Sequence, residues 1–184
     1  MDHRKDAGVT RVLIPEADIH RRIGEIAAEL DDDYRDRTPL MVGVLTGAVT
    51  FMADLMRAMT VHVIIDFMAV SSYGAATHSS GVVRILKDLN QDVADRHVLV
   101  VEDIVDSGLT LNYLLDNLRR RNPASIQVVA LLKKDKDDAF GVQVDRIGFH
   151  IPDEFVIGYG LDYAGRYRNL PFIGILDPHI FSAK

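Results

Sequence analysis

The chain has 184 residues, of which 48% are hydrophobic, with a formal net charge of −6 and no cysteine. This length favours one domain with a substantial core, and the lack of cysteine excludes disulfides, zinc–thiolate sites and thiol catalysis. The negative charge argues against a general nucleic-acid-binding surface, and no apolar run approaches the roughly 18 residues that a membrane-spanning helix needs. The polar N-terminal residues lack the apolar segment of a signal peptide, so we expect a cytoplasmic protein.

The first half of the chain predicts helices that alternate with strands. Apolar residues at helical spacing over 19–30 predict a first helix, and a continuous apolar run over 40–45 predicts a strand. A methionine-rich helix over 52–59 and a long strand over 61–70 follow. Residues 71–81 are rich in Ser, Gly and Ala and show no apolar period, which predicts a mobile loop.

The second half of the chain continues this alternation. Residues 82–86 and the apolar run 98–101 predict strands, leucines at helical spacing over 111–118 predict a helix, and residues 126–132 predict another strand. Strands that alternate with helices imply an α/β fold, with a mostly parallel central sheet flanked by helices.

The segment 98–110 combines acidic side chains with a turn that is suited to anions. Its apolar strand runs into Glu102 and Asp103, Asp106 follows, and a small hydroxyl-bearing turn at 107–110 precedes the next helix. Charged groups at the carboxyl end of a parallel strand lie where such sheets bind ligands, and the free N–H groups of a helix N-terminus attract anions. A ribose phosphate needs both features. The alternative is a capped helix with solvated carboxylates.

Residues 98–110 resemble the phosphoribosyl pyrophosphate motif of the type I phosphoribosyltransferases. Within that family the chain is similar to the bacterial hypoxanthine (hypoxanthine-guanine) phosphoribosyltransferases, and the resemblance covers roughly residues 12–177. The other matching segments are residues 14–17, 51–55, 66–68, 71–74, 85–89, 151–159 and 161–163.

The resemblance implies a fold, a reaction and an assembly. The fold is a single phosphoribosyltransferase domain over 1–184, with a core at about 35–145 and a small hood formed by the N-terminal segment and residues from about 146 to 184. The reaction belongs to purine salvage: the 5-phosphoribosyl group moves from phosphoribosyl pyrophosphate to hypoxanthine or guanine, with Mg²⁺, giving IMP or GMP and pyrophosphate. Relatives assemble as homodimers or homotetramers, and neither nucleic acid nor a membrane is an expected partner.

The resemblance also implies a role for each site residue. Asp106 resembles the general base that accepts the proton of the purine ring N–H. The ribose and its 5′-phosphate are expected to bind Glu102, Asp103, Asp106, Ser107, Gly108, Leu109 and Thr110. The purine is expected to contact Lys134, Phe155, Val156 and Asp162. Pyrophosphate and the closing loop involve Thr46, Gly47, Ser72, Tyr73 and Arg168, and magnesium is expected near Glu102, Asp103 and Asp162.

Without the resemblance, these residues have ordinary structural interpretations. Lys134 lies in a charged segment where a surface lysine is the common case, Phe155 fits a core aromatic, and Ser72 and Tyr73 fit a flexible turn. The alternative function for the whole chain is a non-catalytic regulator of the phosphoribosyltransferase fold that binds a nucleotide or RNA. A P-loop kinase would require G-x-x-x-x-G-K-[ST], which the sequence lacks.

One position departs from the family pattern. Thr46 precedes Gly47 where relatives usually carry Lys or Arg, so this side chain cannot supply a positive charge. In the family, the main chain at this position contacts pyrophosphate through a cis peptide. We therefore expect weaker pyrophosphate binding, or a different subunit-interface contact, at this loop.

Overall fold

The structure, a computed structural model, describes residues 8–72, 83–136 and 140–181, which form nine strands and four helices. The strands are β1 (Val9–Ile14), β2 (Leu40–Leu45), β3 (Ile64–Ser72), β4 (Val83–Lys87), β5 (His97–Val105), β6 (Ser125–Lys134), β7 (Arg146–Ile151), β8 (Val156–Ile157) and β9 (Ile173–Leu176). The helices are α1 (Glu16–Asp33), α2 (Val49–Ala58), α3 (Leu109–Arg119) and the short α4 (Pro178–Phe181). None of the helices in these ranges is long and apolar enough to cross a membrane.

A six-stranded sheet with strand order β4-β3-β2-β5-β6-β7 forms the centre of the domain. Neighbouring strands run parallel except for β3 and β4, which pair antiparallel. The predicted α/β fold with a mostly parallel sheet is therefore confirmed. The central strands β2 and β5 are almost entirely buried over their apolar runs, because helices cover both faces of the sheet.

Alternate residues of the central strands pack into two cores. Met41 and Leu99 pack with α1 and α2 on one face of the sheet, whereas Val42 and Val98 pack with α3 on the other face. This division follows from the two-residue period of a strand. The buried residues of α1 include those that the helical spacing predicts: Ile19, Ile23, Ile26 and Leu30.

A smaller antiparallel sheet of order β1-β9-β8 joins the N-terminal and C-terminal segments and corresponds to the predicted hood. The boundary between hood and core differs from the prediction. β7 pairs with β6, so residues 146–151 belong to the main sheet. The apolar face of α1 packs on that sheet as well, and the core therefore begins before residue 35. Both segments join the core because they bury apolar side chains against the central strands.

Both ends of the third strand also differ from the sequence pattern. β3 begins at Ile64, because the Asp31 carboxylate accepts hydrogen bonds from the backbone N–H groups of Thr60 at 2.9 Å and Val61 at 3.1 Å and holds them as a turn beside α1. β3 extends through Ser72, so the predicted loop begins later than expected. The rest of that loop lies outside the described residues, and the predicted return strand is found as β4.

Candidate active site

Two adjacent carboxylates, Glu102 and Asp103, lie in the last part of β5. Glu102 is buried, and burial together with the charge of Asp103 raises the pKa of Glu102 well above its ordinary value. Burial also raises the pKa of Asp103 to about 6, although the Ile104 N–H and the Arg168 guanidinium partly oppose this shift. Two such carboxylates are costly to ionise together unless a ligand brings positive charge or hydrogen-bond donors, which is typical of functional sites.

The turn that follows β5 forms an anion cradle at the N-terminus of α3. Gly108 adopts a φ of 79°, a conformation that glycine tolerates, and no side chain caps the first N–H groups of the helix. These N–H groups and the positive end of the helix dipole favour an anion. A cavity of about 150 Å³ lies against the turn. Its lining residues include Glu102, Asp106, Ser107, Gly108, Leu109 and Thr110.

A second cavity, of about 310 Å³, shares Asp106 with the anion cradle. Phe155 is 38% exposed and stacks on Phe181 with the ring centroids 5.0 Å apart, while Tyr163 meets it edge-on. An aromatic and apolar wall with a few polar groups suits a flat heteroaromatic ligand. The residues that line this aromatic cavity are Asp103, Ile104, Asp106, Lys134, Phe155, Val156, Leu161 and Asp162.

Four charged side chains meet beside the aromatic cavity. Lys134 Nζ lies 2.8 Å from Asp153 Oδ1 and 3.6 Å from Asp106 Oδ2. Lys136 pairs with Asp106 Oδ1 and lies 3.5 Å from Asp153 Oδ1. The Lys134 side chain is only 13% exposed, so its ammonium is held within the site. Sequence reasoning did not single out Lys136 or Asp153; the available signal for Lys136 was the density of charge in residues 133–138.

The loop after β2 packs against the same carboxylates. The Leu45–Thr46 peptide is cis, and the Thr46 side chain is exposed. Gly47 lies so close to the Asp103 carboxylate that a Cβ on Gly47 would overlap it. A Cβ on Gly160 would likewise overlap the Gly47 carbonyl oxygen. Glycine at both positions lets main chain from two loops approach the site where side chains would fill the space.

Arg168 and Asp162 complete this side of the site. The Arg168 guanidinium donates to the Gly160 carbonyl at 2.6 Å and lies 2.6 Å from Asp162 Oδ1. Asp162 also accepts a hydrogen bond of 2.7 Å from the Gly165 N–H. The charges of Arg168 and Asp162 both act on Asp103, so the three side chains share one electrostatic environment.

The structure therefore brings most of the predicted site residues to one edge of the main sheet, with two exceptions. Ser72 ends β3, and Tyr73 of the predicted closing loop lies outside the described residues. Among the described residues, no group of three His, Cys, Asp or Glu side chains is arranged to hold a metal ion.

Comparisons with known proteins agree with this geometry. The family model described as "Phosphoribosyl transferase domain" matches residues 16–164. The chain is 49% identical over 175 residues to the hypoxanthine-guanine phosphoribosyltransferase of Bacillus subtilis (strain 168), covering 95% of this chain and 97% of the relative. It is 51% identical over 181 residues to that of Mycobacterium avium, covering 94% and 88%. A crystal structure of a hypoxanthine phosphoribosyltransferase from Staphylococcus aureus is similar with a TM-score of 0.91 and 41% identity, covering 95% of both chains.

Proposed function

This chain belongs to the phosphoribosyltransferase family, and we propose that it transfers the 5-phosphoribosyl group of phosphoribosyl pyrophosphate to hypoxanthine or guanine. The activity is that of a hypoxanthine-guanine phosphoribosyltransferase in purine salvage, with IMP or GMP and pyrophosphate as products. The observation that carries the proposal is that Asp106 lines both the anion cradle and the aromatic cavity. A ribose phosphate in the first therefore meets a purine in the second. No observation favours the non-catalytic regulator.

Asp106 and Lys134 act on the purine. Asp106 accepts the proton that the purine nitrogen loses as its bond to the ribose carbon forms. Lys134, an ammonium with donors only, donates to the 6-oxo group of hypoxanthine or guanine. A 6-amino group in the same place would leave two donors facing each other, so adenine is refused. Phe155 packs against the face of the base, and Val156 meets its edge through the main chain.

The ribose phosphate and pyrophosphate occupy the other parts of the site. The 5′-phosphate binds the turn at 106–110, where the free N–H groups of α3 donate to its oxygens. Glu102 and Asp103 accept hydrogen bonds from the ribose hydroxyls. These hydrogen bonds offset the cost of ionising two buried carboxylates. Pyrophosphate leaves on the side of Gly47 and Arg168, where main-chain groups and the guanidinium meet its negative charge.

Magnesium fits the donor set of this site. Glu102, Asp103 and Asp162 would hold the ion, because they offer hard carboxylate oxygens at a place where burial leaves negative charge unbalanced. Mg²⁺ typically binds one or two carboxylates together with waters and substrate phosphates. When bound, it neutralises the charge that develops on the leaving pyrophosphate. The Thr46 side chain carries no positive charge. We therefore still predict weaker pyrophosphate binding at the loop after β2.

The family also suggests a location and an assembly for this chain. We propose a cytoplasmic homodimer or homotetramer whose ligands are phosphoribosyl pyrophosphate and a 6-oxopurine. Neither nucleic acid nor a membrane is among the proposed partners. The residue roles assigned above require no side chain from a second subunit.

The proposed function is tested with a spectrophotometric assay that contains phosphoribosyl pyrophosphate, Mg²⁺ and one of hypoxanthine, guanine, xanthine or adenine. We expect turnover with hypoxanthine and guanine. The kcat/KM for adenine should be lower by a factor of at least about 10⁴. Turnover of adenine at a rate close to that of hypoxanthine would contradict the role of Lys134. The absence of turnover with every base would contradict the reaction itself.

A further inference from the structure

Both carboxylate oxygens of Asp106 are engaged in the free protein. Lys134 faces Oδ2 at 3.6 Å, and Lys136 pairs with Oδ1. Asp153 bridges the two lysines, 2.8 Å from Lys134 and 3.5 Å from Lys136. Each carboxylate oxygen has two lone pairs, so one oxygen of Asp106 can keep its lysine while the other oxygen accepts the purine proton.

The two lysines differ in their access to the purine. Lys134 is 13% exposed and lines the aromatic cavity together with Asp106. Lys136 is 31% exposed and is not among the described residues that line the cavity. An entering purine therefore meets the Lys134 ammonium and Oδ2 of Asp106. The pairing of Lys136 with Oδ1 can persist while the base is bound.

We propose that Lys136 is a positioning residue that holds Asp106 Oδ1, so that Oδ2 points at the purine N–H when Lys134 turns to the 6-oxo group. This inference rests on the proposed function, in which Asp106 is the general base. An ammonium at hydrogen-bonding distance restricts the rotation of the carboxylate and favours the ionised form, which can accept a proton. The pairing with Asp106 also raises the pKa of the Lys136 ammonium, so Lys136 stays charged through neutral pH.

The charge balance around Asp106 shows why removing Lys136 has a measurable effect. With Lys136 absent, Lys134 is the remaining lysine beside Asp106 and Asp153, and a carboxylate that loses a neighbouring cation holds a proton more tightly. The charged groups that face Asp106 from the surrounding elements are Lys134 at the end of β6, Lys136 just after it, Asp153 between β7 and β8, Asp103 and Asp162 on the aromatic cavity, and Glu102 on the anion cradle.

The test is the pH dependence of kcat/KM for hypoxanthine, at saturating phosphoribosyl pyrophosphate and Mg²⁺, in the full-length protein and in Lys136→Met. We expect the acid limb of the profile to move up by about one pH unit and kcat at the optimum to fall roughly tenfold, because the carboxylate is no longer held in place. Lys136→Arg should restore most of kcat and most of the original position of the acid limb. The matched control is Arg119→Met, which removes an exposed cation paired with Asp116 on α3 and should follow the unmodified profile.

Three results would overturn the proposal or its premise. If the unmodified protein is active and Lys136→Met has the same acid limb and kcat, Lys136 does not position Asp106. A raised KM for phosphoribosyl pyrophosphate with an unchanged acid limb would also contradict the proposal. An unmodified protein that turns over no 6-oxopurine would instead refute the proposed function. Thermal unfolding checks each variant, and if Lys136→Met fails to fold, Lys136→Gln is measured in the same way.

Discussion

At the residue scale, the site keeps carboxylates where the fold alone does not neutralise them. Glu102 and Asp103 stand at the end of a strand that is buried on both faces, and burial raises the pKa of both. Unbalanced charge on buried carboxylates lowers the stability of the folded protein. The same charge can bind a substrate hydroxyl or a cation that completes the site.

Asp103→Asn is expected to stabilise the free protein at neutral and alkaline pH. The carboxyl titrates near its ordinary value of 3.8 in the unfolded chain, whereas burial raises the pKa to about 6 in the folded protein. The folded state therefore holds the proton more tightly, and stability is lost as pH rises from about 4 through about 6. Removing the charge should raise the free energy of unfolding at pH 8 by at most about 3 kcal/mol, as measured by urea unfolding.

The gain from Asp103→Asn should disappear below about pH 3, where the carboxyl is protonated in both the folded and the unfolded state. The matched control is Asp116→Asn, because Asp116 is an exposed carboxylate on α3, and it should change stability little at either pH. A loss of stability in Asp103→Asn at pH 8 would show instead that the folded chain stabilises the ionised carboxylate.

At the element scale, one buried hydrogen bond ties α2 to the segment that follows β8. Tyr159 is 3% exposed, and its hydroxyl donates to Asp54, which also pairs with Arg57 on α2. Burial, followed by the hydrogen bond to Asp54, raises the pKa of Tyr159. The next residue, Gly160, packs on the loop after β2 and accepts a hydrogen bond from Arg168. The bond thus anchors the segment that shapes the pyrophosphate side of the site.

Tyr159→Phe should lower the free energy of unfolding by about 1.5–3 kcal/mol, because it removes a buried hydrogen bond to a charged acceptor. Asp54 is 14% exposed and would keep its pairing with Arg57. Urea unfolding at pH 7 measures the change. Tyr113→Phe is the matched control, since Tyr113 is 38% exposed and its hydroxyl can bond to water in either state. Equal stability of the two variants would show that the Tyr159 hydroxyl contributes nothing to the anchor.

At the scale of the whole molecule, the main sheet and the hood enclose the aromatic cavity between them. Asp106 directly follows β5 and Lys134 ends β6, while Val156 begins the hood strand β8 and Phe155 directly precedes it. Open parallel sheets bind ligands at this edge. The hood supplies the wall against which the base packs, so the site depends on the contact between the two sheets.

The sequence pattern predicts parts of this architecture well and others poorly, for physical reasons. β2 matches its prediction residue for residue, because residues 40–45 are apolar throughout and buried between two cores. The start of β3 depends on hydrogen bonds that Asp31 accepts from backbone N–H groups 29 and 30 positions away, which local periodicity cannot reveal. The family resemblance and the short apolar segments, broken by Gly and Pro, place residues 146–151 in the hood, whereas β7 pairs with β6 in the main sheet.

Some residues of the site could be predicted from a local sequence pattern, and others could not. The carboxylates and the turn of segment 98–110 were visible as a local pattern, because one strand and one helix start carry them. Lys134 and Arg168 were indicated only by the family resemblance, since their own segments look like ordinary charged surface. The charge density of residues 133–138 did not distinguish Lys136 from its neighbours, because its pairing with Asp106 spans separate elements of the fold.

The most direct test of the account is the steady-state kinetics of Asp106→Asn with hypoxanthine, phosphoribosyl pyrophosphate and Mg²⁺, beside Asp116→Asn as the control. Asparagine keeps the size of the side chain and leaves the anion cradle intact, but it cannot accept the purine proton. We expect kcat to fall by about 10²–10⁴-fold, while the dissociation constant of IMP stays close to that of the unmodified protein. A kcat within a few-fold of the unmodified value would contradict the role of Asp106 as the general base.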